Sequence, residues 1–199
     1  DAAAVDAACR CSGFEHSTDN RLFIEIHSSC EGGLKNAVKM AAEIAFDRGG
    51  NVVADPRIWE IRRNLTKGIQ ASNRGMKIVR VDASVPAGAT ADFCGFAAKI
   101  ARESGLSLYS FGHIGTGVMH LLIPVSPEDF DSEGVADLRK RLILKALELR
   151  GSISGEHGIG LGNREFMAAE HAGLVGYMKE IKKIFDPDNI LNPDKLFVP

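Results

Sequence analysis

LSLYSFGHIGTGVMHLLIPV, residues 106–125, is the stretch on which the fold turns. Two extended runs, LSLYSFGH and VMHLLIPV, flank a Gly-Thr-Gly centre. Strands joined by so short a link must be antiparallel, because a parallel pair needs a crossover of about a dozen residues or more. With residues 115–118 as the turn, Ile114 faces Met119 and His113 faces His120, and Gly115 and Gly117 supply the unusual backbone angles. Directly opposed residues share a sheet face, with Cβ atoms ~4.5–5.5 Å apart. Two imidazoles so placed can share one divalent metal, or stand as a hydrogen-bonded surface pair. Spacing alone leaves both open.

Working outward, KIVRVDASV carries Val79, Val81, Ala83 and Val85 on one face and ends at Pro86, which predicts a strand over 78–85. RLFIEIH alternates Leu22, Ile24 and Ile26, which predicts another over 21–27. Helical spacing follows Gly32-Gly33, with Leu34, Ala37, Val38, Ala41 and Ala45 on one stripe up to Asp47. Further helices are predicted in IWEIRRNLTKGI, over 88–104 with Phe93, Phe96, Ala97 and Ile100 inward, and after Asp131-Ser132 with Val135, Leu138, Leu142 and Leu149 inward. A last helical region ends at Pro187, and the tail NILNPDKLFVP is too rich in Pro and Asn to be helix. The fold class is therefore α+β: an antiparallel sheet with helices on one face, ferredoxin-like, plus a C-terminal helical tail. The expected organisation is a poorly ordered 1–20, an α+β unit over 21–150, and a Gly-rich loop and tail over 151–199.

Composition narrows the function. At 199 residues, with 45% hydrophobic and 25% charged residues, the chain reads as an ordinary globular protein. A net charge of -2 gives no footprint for nucleic acid or an anionic membrane. No apolar run approaches the ~20 residues of a transmembrane helix. The opening DAAAVDAACRC lacks the basic and apolar regions of a signal peptide, and without an initiator Met it reads as part of a longer chain. Cys9, Cys11, Cys30 and Cys94 form no C-x-x-C and read as reduced thiols of a cytoplasmic protein, with a Cys9–Cys30 bridge as the alternative.

A second chemical segment is GSISGEHGIGLGNRE, residues 151–165. Five glycines between Gly151 and Gly162 are too many for a helix or a stable strand. A phosphate loop is disfavoured, because neither G-x-x-x-x-G-K-[ST] nor the G-x-G-x-x-G spacing is present. Glycines around Glu156-His157 let the backbone press against a surface while presenting two active side chains. Glu156 can give a carboxylate oxygen to a metal, and His157 is a candidate base with an ordinary pKa of ~6.5. A flexible polar loop is the plain alternative.

Three segments together resemble one family. FGHIGTGVMH is similar to the H-x-G-D-G-N-x-H motif of FAD-linked oxidases of the vanillyl-alcohol-oxidase type. GSISGEHGIGLGNREF resembles the G-x-x-x-G-E-H-G-I-G-x-x-K/R of their glycolate oxidase, D-lactate dehydrogenase and D-2-hydroxyglutarate dehydrogenase branch, and DPDNILNP resembles its closing D-P-x-N-I-x-N-P. Upstream, Trp59-x-x-Arg62 is similar to the family's W-x-x-R, and Arg80-Val81-Asp82 stands where many members have Lys-x-Asp.

The resemblance covers about Leu22 to the end and implies the C-terminal, substrate-binding part of such an enzyme. It implies metal ligands His113, His120 and Glu156 for zinc or manganese, His157 as catalytic base, and Arg62, Thr66 and Arg80 on the substrate carboxylate. Arg62 and Thr66, four apart, would share one helix face. Glu156, Gly158 and Asn192 would border the cofactor, an FAD held mainly by an FAD-binding domain upstream or on another subunit. The implied substrate is a small 2-hydroxy acid, with a homodimer and an electron acceptor at a membrane surface as further expectations. Thr116 and Val118 replace the motif's Asp and Asn, and Leu122 replaces an Asn found in some members. These departures keep the metal ligands and imply a more apolar or simply different pocket. A non-catalytic subunit that keeps the fold is the alternative reading.

Overall fold

In a computed structural model, which describes residues 1–197, the chain forms two units, Asp1–Ser72 and the part beginning at Asn73. The division falls at Ser72, between the bounds drawn from sequence.

The first unit is helical. Helix α1, Ala2–Ser12, is capped by Asp1, whose Oδ1 accepts from the Ala4 N–H at 2.8 Å, and it ends at Gly13 with φ +72°. Ala4, Val5, Ala7, Ala8 and Cys9 are buried in it. The expectation of a poorly ordered 1–20 is thus corrected: small residues let this helix sit close to a neighbour. That neighbour is α4, Leu65–Ser72, where a Cβ on Gly68 would lie 2.4 Å from the Ala7 carbonyl oxygen. Ile61 of α3, Ile58–Arg63, and Leu65 and Ile69 of α4 complete this core.

Two further expectations fail here. Residues 21–27 form no strand: alternation marks a face, but a strand also needs a backbone partner, and none pairs with it among the described residues. Leu22 and Ile24 are exposed. Helix α2, Glu31–Asp47, forms as predicted, capped by Cys30 Sγ on the Gly33 N–H, yet buries none of its residues. The four cysteines are free.

The second unit holds the sheet. Strands β1 (Lys77–Ser84), β2 (Tyr109–His113) and β3 (Val118–Val125) are antiparallel in the order β1-β3-β2. β3 lies between the other two and is buried along its length. Its Pro124 falls beyond the last β2 pair, Tyr109 with Leu122, where β3 has a neighbour on one side only.

Alternation separates the two faces. Val79, Val81, Ala83, Met119, Leu121 and Ile123 join Phe93, Ala97 and Ile100 of α5 (Thr90–Glu103) with Leu138, Leu142, Ile143 and Ala146 of α6 (Glu133–Glu148) in one core. Each fully buried Leu, Ile or Phe contributes roughly 1.5–3 kcal/mol. The fold class predicted from sequence is therefore found: an α+β unit with helices on one sheet face. Helices α7 (Met167–His171) and α8 (Val175–Phe185) follow the Gly-rich loop, and no helix includes residues 187–197.

Candidate metal and catalytic site

The site occupies the sheet face that the helices leave open. Across β1 and β3, Arg80 opposes Leu122 and Asp82 opposes His120; across β2 and β3, Phe111 opposes His120 and His113 opposes Val118. The hairpin register differs from the expected one, since the connecting residues are 114–117 and His113 does not face His120 directly. The His113 carbonyl accepts from the Thr116 N–H (3.0 Å) and hydroxyl (3.1 Å), closing the turn one residue early. Of the two glycines expected to bend the chain, Gly117 alone has a positive φ, +73°. Both strands shift together, so the parity survives. His113 and His120 remain on one face as diagonal neighbours, their ring centroids 5.8 Å apart.

The Gly-rich segment is delivered to the same place by the end of β1. Ser84 and Ser152 exchange both backbone hydrogen bonds, at 3.2 and 2.9 Å, and the Val85 N–H donates to the Gly117 carbonyl at 3.0 Å. Hairpin tip and loop thus meet at one strand end. Buried Ile153 anchors the loop: its N–H donates to Glu170 and its carbonyl accepts from the side chain of buried Asn163. Gly155 must be glycine, because a Cβ there would lie 2.6 Å from Asp82 Oδ1 and 2.7 Å from Val118 Cγ1.

These constraints bring Glu156 and His157 over the histidine pair. Glu156 Oε1 lies 3.2 Å from His120 Nε2 and 3.7 Å from both His113 Nε2 and His157 Nε2. The His157 ring stacks on His120 at 5.3 Å between centroids, and Phe111 borders His120 at 5.4 Å. Ligand-type atoms of His113, His120 and Glu156 lie within 4.8 Å of one another, as do those of Asp82, His120 and His157.

Asp82 is the member that sequence reasoning passed over. Its Oδ2 accepts from the backbone N–H groups of Glu156 (3.0 Å) and His157 (2.8 Å) and from the Ser154 hydroxyl (3.3 Å). Its Oδ1 is 3.2 Å from His120 Nδ1, buried, and accepts no hydrogen bond among the described residues. Burial pushes the Asp82 carboxyl up, yet the two N–H donors and the nearby His157 and His120 outweigh it and hold it below the usual range. His120 is shifted down, first by burial, with the attraction of Asp82 and Glu156 opposing. A signal for Asp82 existed in the outward face of KIVRVDAS, but its loop contacts did not.

The remaining predicted residues lie elsewhere. Arg80 is exposed, two residues from Asp82 on the same strand face, and borders a groove with Phe130, Arg139 and Lys140. Gly158, at φ +79°, and Asn192, at φ +48°, are both exposed. Arg62 and Thr66 belong to the first unit and are exposed. They do not share one helix: α3 ends at Arg63 and α4 begins at Leu65, with Asn64 between them donating from its side chain to Ser12 Oγ. Arg62 instead lies over the ring of Trp59 at 5.7 Å.

Residues 1–196 match the family "FAD linked oxidases, C-terminal domain", to which the chain belongs. It is 29% identical over 96% of its length to a probable mitochondrial D-lactate dehydrogenase of Danio rerio. It is 31% identical over 88% of its length to a D-lactate dehydrogenase of Anaerostipes hadrus. Over 58% of its length it is 36% identical to the glycolate oxidase subunit GlcD of Bacillus subtilis. The chain spans 40%, 38% and 25% of these three relatives. Among the described residues, no helix is long and apolar enough to cross a membrane.

Proposed function

We propose that this chain is the substrate- and metal-binding part of an FAD-dependent 2-hydroxy acid dehydrogenase of the D-lactate or glycolate type. The observation that carries this reading is the approach of His120 Nε2 and His113 Nε2 to one carboxylate oxygen of Glu156, at 3.2 and 3.7 Å. Ligands of a tetrahedral zinc bound at ~2.0–2.1 Å stand roughly 3.3 Å apart, and the two distances bracket that value. Two imidazoles, one of them shifted down by burial, and a carboxylate suit zinc or manganese. His113, His120 and Glu156 would hold the ion. Bound there, the ion would supply Lewis-acid polarisation of the substrate hydroxyl, and the flavin would supply the hydride acceptor.

The chain's own residues then divide the remaining work. His157, exposed and stacked on His120, takes the hydroxyl proton. Arg62, Thr66 and Arg80 are the residues we assign to the substrate carboxylate, guanidinium matching carboxylate in a two-pronged pair. Glu156, Gly158 and Asn192 border the FAD, which the FAD-binding part of the whole protein holds. We assign the segment from Gly151 onward to the return toward that part, residues 198 and 199 lying outside the described residues. The substrate is a D-2-hydroxy acid, and the protein is cytoplasmic, passing electrons to a partner that can sit at a membrane surface.

The test uses the full-length polypeptide. Metal analysis should find about one zinc or manganese per chain, lost in the His113→Ala, His120→Ala double variant. With D-lactate in a single turnover, His157→Ala should slow flavin reduction by ~10²–10⁴-fold. Unchanged flavin reduction in that variant would remove His157 from the chemistry. A protein that takes up no metal and reduces no flavin would instead be a non-catalytic subunit, a reading that the apolar Val118 and Leu122 favour.

A further inference from the structure

We propose that Asp82 is a positioning residue: it sets the tautomer of His120 and holds in place the loop that carries Glu156 and His157. The inference rests on the metal-site reading for its consequence, while its evidence is the geometry of the chain's own residues. Asp82 and His120 are a directly opposed cross-strand pair, so the sheet register itself puts the two side chains together. The two oxygens of Asp82 do different things. Oδ2 gathers the Glu156 and His157 N–H groups and the Ser154 hydroxyl, three donors from one short segment. Oδ1 is buried and accepts no hydrogen bond among the described residues, and His120 Nδ1 stands 3.2 Å from it.

A buried carboxylate oxygen without a donor is costly, and a proton on His120 Nδ1, 3.2 Å away, would satisfy it once a small turn of the ring aims the N–H at Oδ1. A neutral imidazole carries one proton, so placing it on Nδ1 leaves Nε2 as a bare lone pair. Nε2 is the atom 3.2 Å from Glu156 Oε1, on the side of the ring that a metal would use. One carboxylate therefore turns His120 into a ligand on one side and fixes the backbone of a second ligand, Glu156, on the other. Carboxylates behind metal-bound histidines act in this way generally. Asp82 is not itself a metal ligand in this scheme, because Oδ2 is committed to its donors and Oδ1 is given to His120 Nδ1.

Asp82→Asn in the full-length polypeptide separates the two roles. The amide oxygen can keep the Oδ2 position, where the alternative orientation would set an NH₂ group against two N–H donors. The NH₂ then occupies the Oδ1 position and donates to His120 Nδ1, which drives the ring proton to Nε2. Histidine-selective ¹⁵N spectra of the metal-free protein, at about pH 8 and so above the ordinary imidazole range, read the tautomer directly. Expected are an Nδ1–H form in the wild type, an Nε2–H form in Asp82→Asn, zinc affinity lower by ~10–100-fold, and an almost unchanged thermal midpoint. An Nε2–H form in the wild type, or a variant with wild-type tautomer and zinc affinity within about twofold, would overturn the proposal. A wild type that takes up no zinc would overturn the metal-site reading alone, since the tautomer still decides the role of Asp82.

Discussion

Two aspartates in the second unit use the same device to different ends. Asp186, after α8, accepts from the N–H groups of Ile190 and Leu191 at 2.9 and 3.0 Å and pairs with Lys182, whose ammonium also donates to the Leu191 carbonyl. Asp82 likewise accepts from two consecutive N–H groups of a returning segment, those of Glu156 and His157. Asp186 spends both oxygens on backbone and a permanent cation, so its charge is answered and the knot is closed. Asp82 crowds its donors onto one oxygen, and the groups beside it are imidazoles, which gain and lose protons. The difference is between a clasp that only ties down chain and one with an oxygen left to direct a neighbour.

Removing the open clasp should have the largest effect. Asp82→Ala leaves the Glu156 and His157 N–H groups without their acceptor, and because both residues are exposed water takes its place without holding the loop. Zinc affinity should fall further than in Asp82→Asn, because both His120 and Glu156 lose their alignment. Isothermal titration and thermal melts of the same samples check this. Equal zinc affinity in the two variants would show that the loop contacts add nothing beyond the tautomer.

Gly155→Ala attacks the same clasp from the other side. Its Cβ would lie 2.6 Å from Asp82 Oδ1, 2.7 Å from Val118 Cγ1 and 3.2 Å from the Ala83 carbonyl oxygen, so the loop must move. Overpacking of this kind costs ~1–3 kcal/mol. A lowered melting midpoint together with weakened zinc binding is expected; wild-type values for both would mean that the loop does not depend on this close approach.

Much of this was legible in the sequence, and the limits are physical. The period-two pattern in KIVRVDAS marked a strand and its inner face, because burial on one side imposes alternation, whereas VMHLLIPV, buried along its whole length, carries no such alternation. His113, His120 and Glu156 could be grouped because a hairpin keeps parity even when its register shifts by one residue on each strand. Asp82 was hidden because its partners come from a loop far along the chain, which no local period reports. RLFIEIH misled for the converse reason: it has the pattern of a strand and no partner among the described residues. The N-terminal helix was missed because Ala-rich sequence carries little contrast. Its signals were the Asp1 cap, the Gly13 stop and the close contact that Gly68 permits with Ala7. Arg62 and Thr66 were set on one helix by spacing alone, and Asn64 interrupts it in favour of a bond to Ser12.

The closed clasp supplies the control, with the smallest effect. Asp186→Asn should leave zinc uptake unchanged while speeding amide exchange at Ile190 and Leu191, whose acceptor loses its charge. The pH dependence follows from the same contacts. The hydrogen bond from Lys182, aided by those two N–H groups, outweighs burial and holds the Asp186 carboxyl below its ordinary value of 3.8. A carboxyl depressed in the folded state binds fewer protons there than in the unfolded chain, so its stabilisation is complete above the ordinary value and is lost as pH falls through the folded one. Protection at Ile190 and Leu191 should therefore hold from neutral pH down to about 4 and drop only below it. In Asp186→Asn that acid step should vanish. A loss of protection that begins well above pH 4, or one that persists in the variant, would mean that something other than this carboxylate ties down the tail. The contrast with Asp82, whose neighbours are imidazoles rather than an ammonium, would then lose its basis.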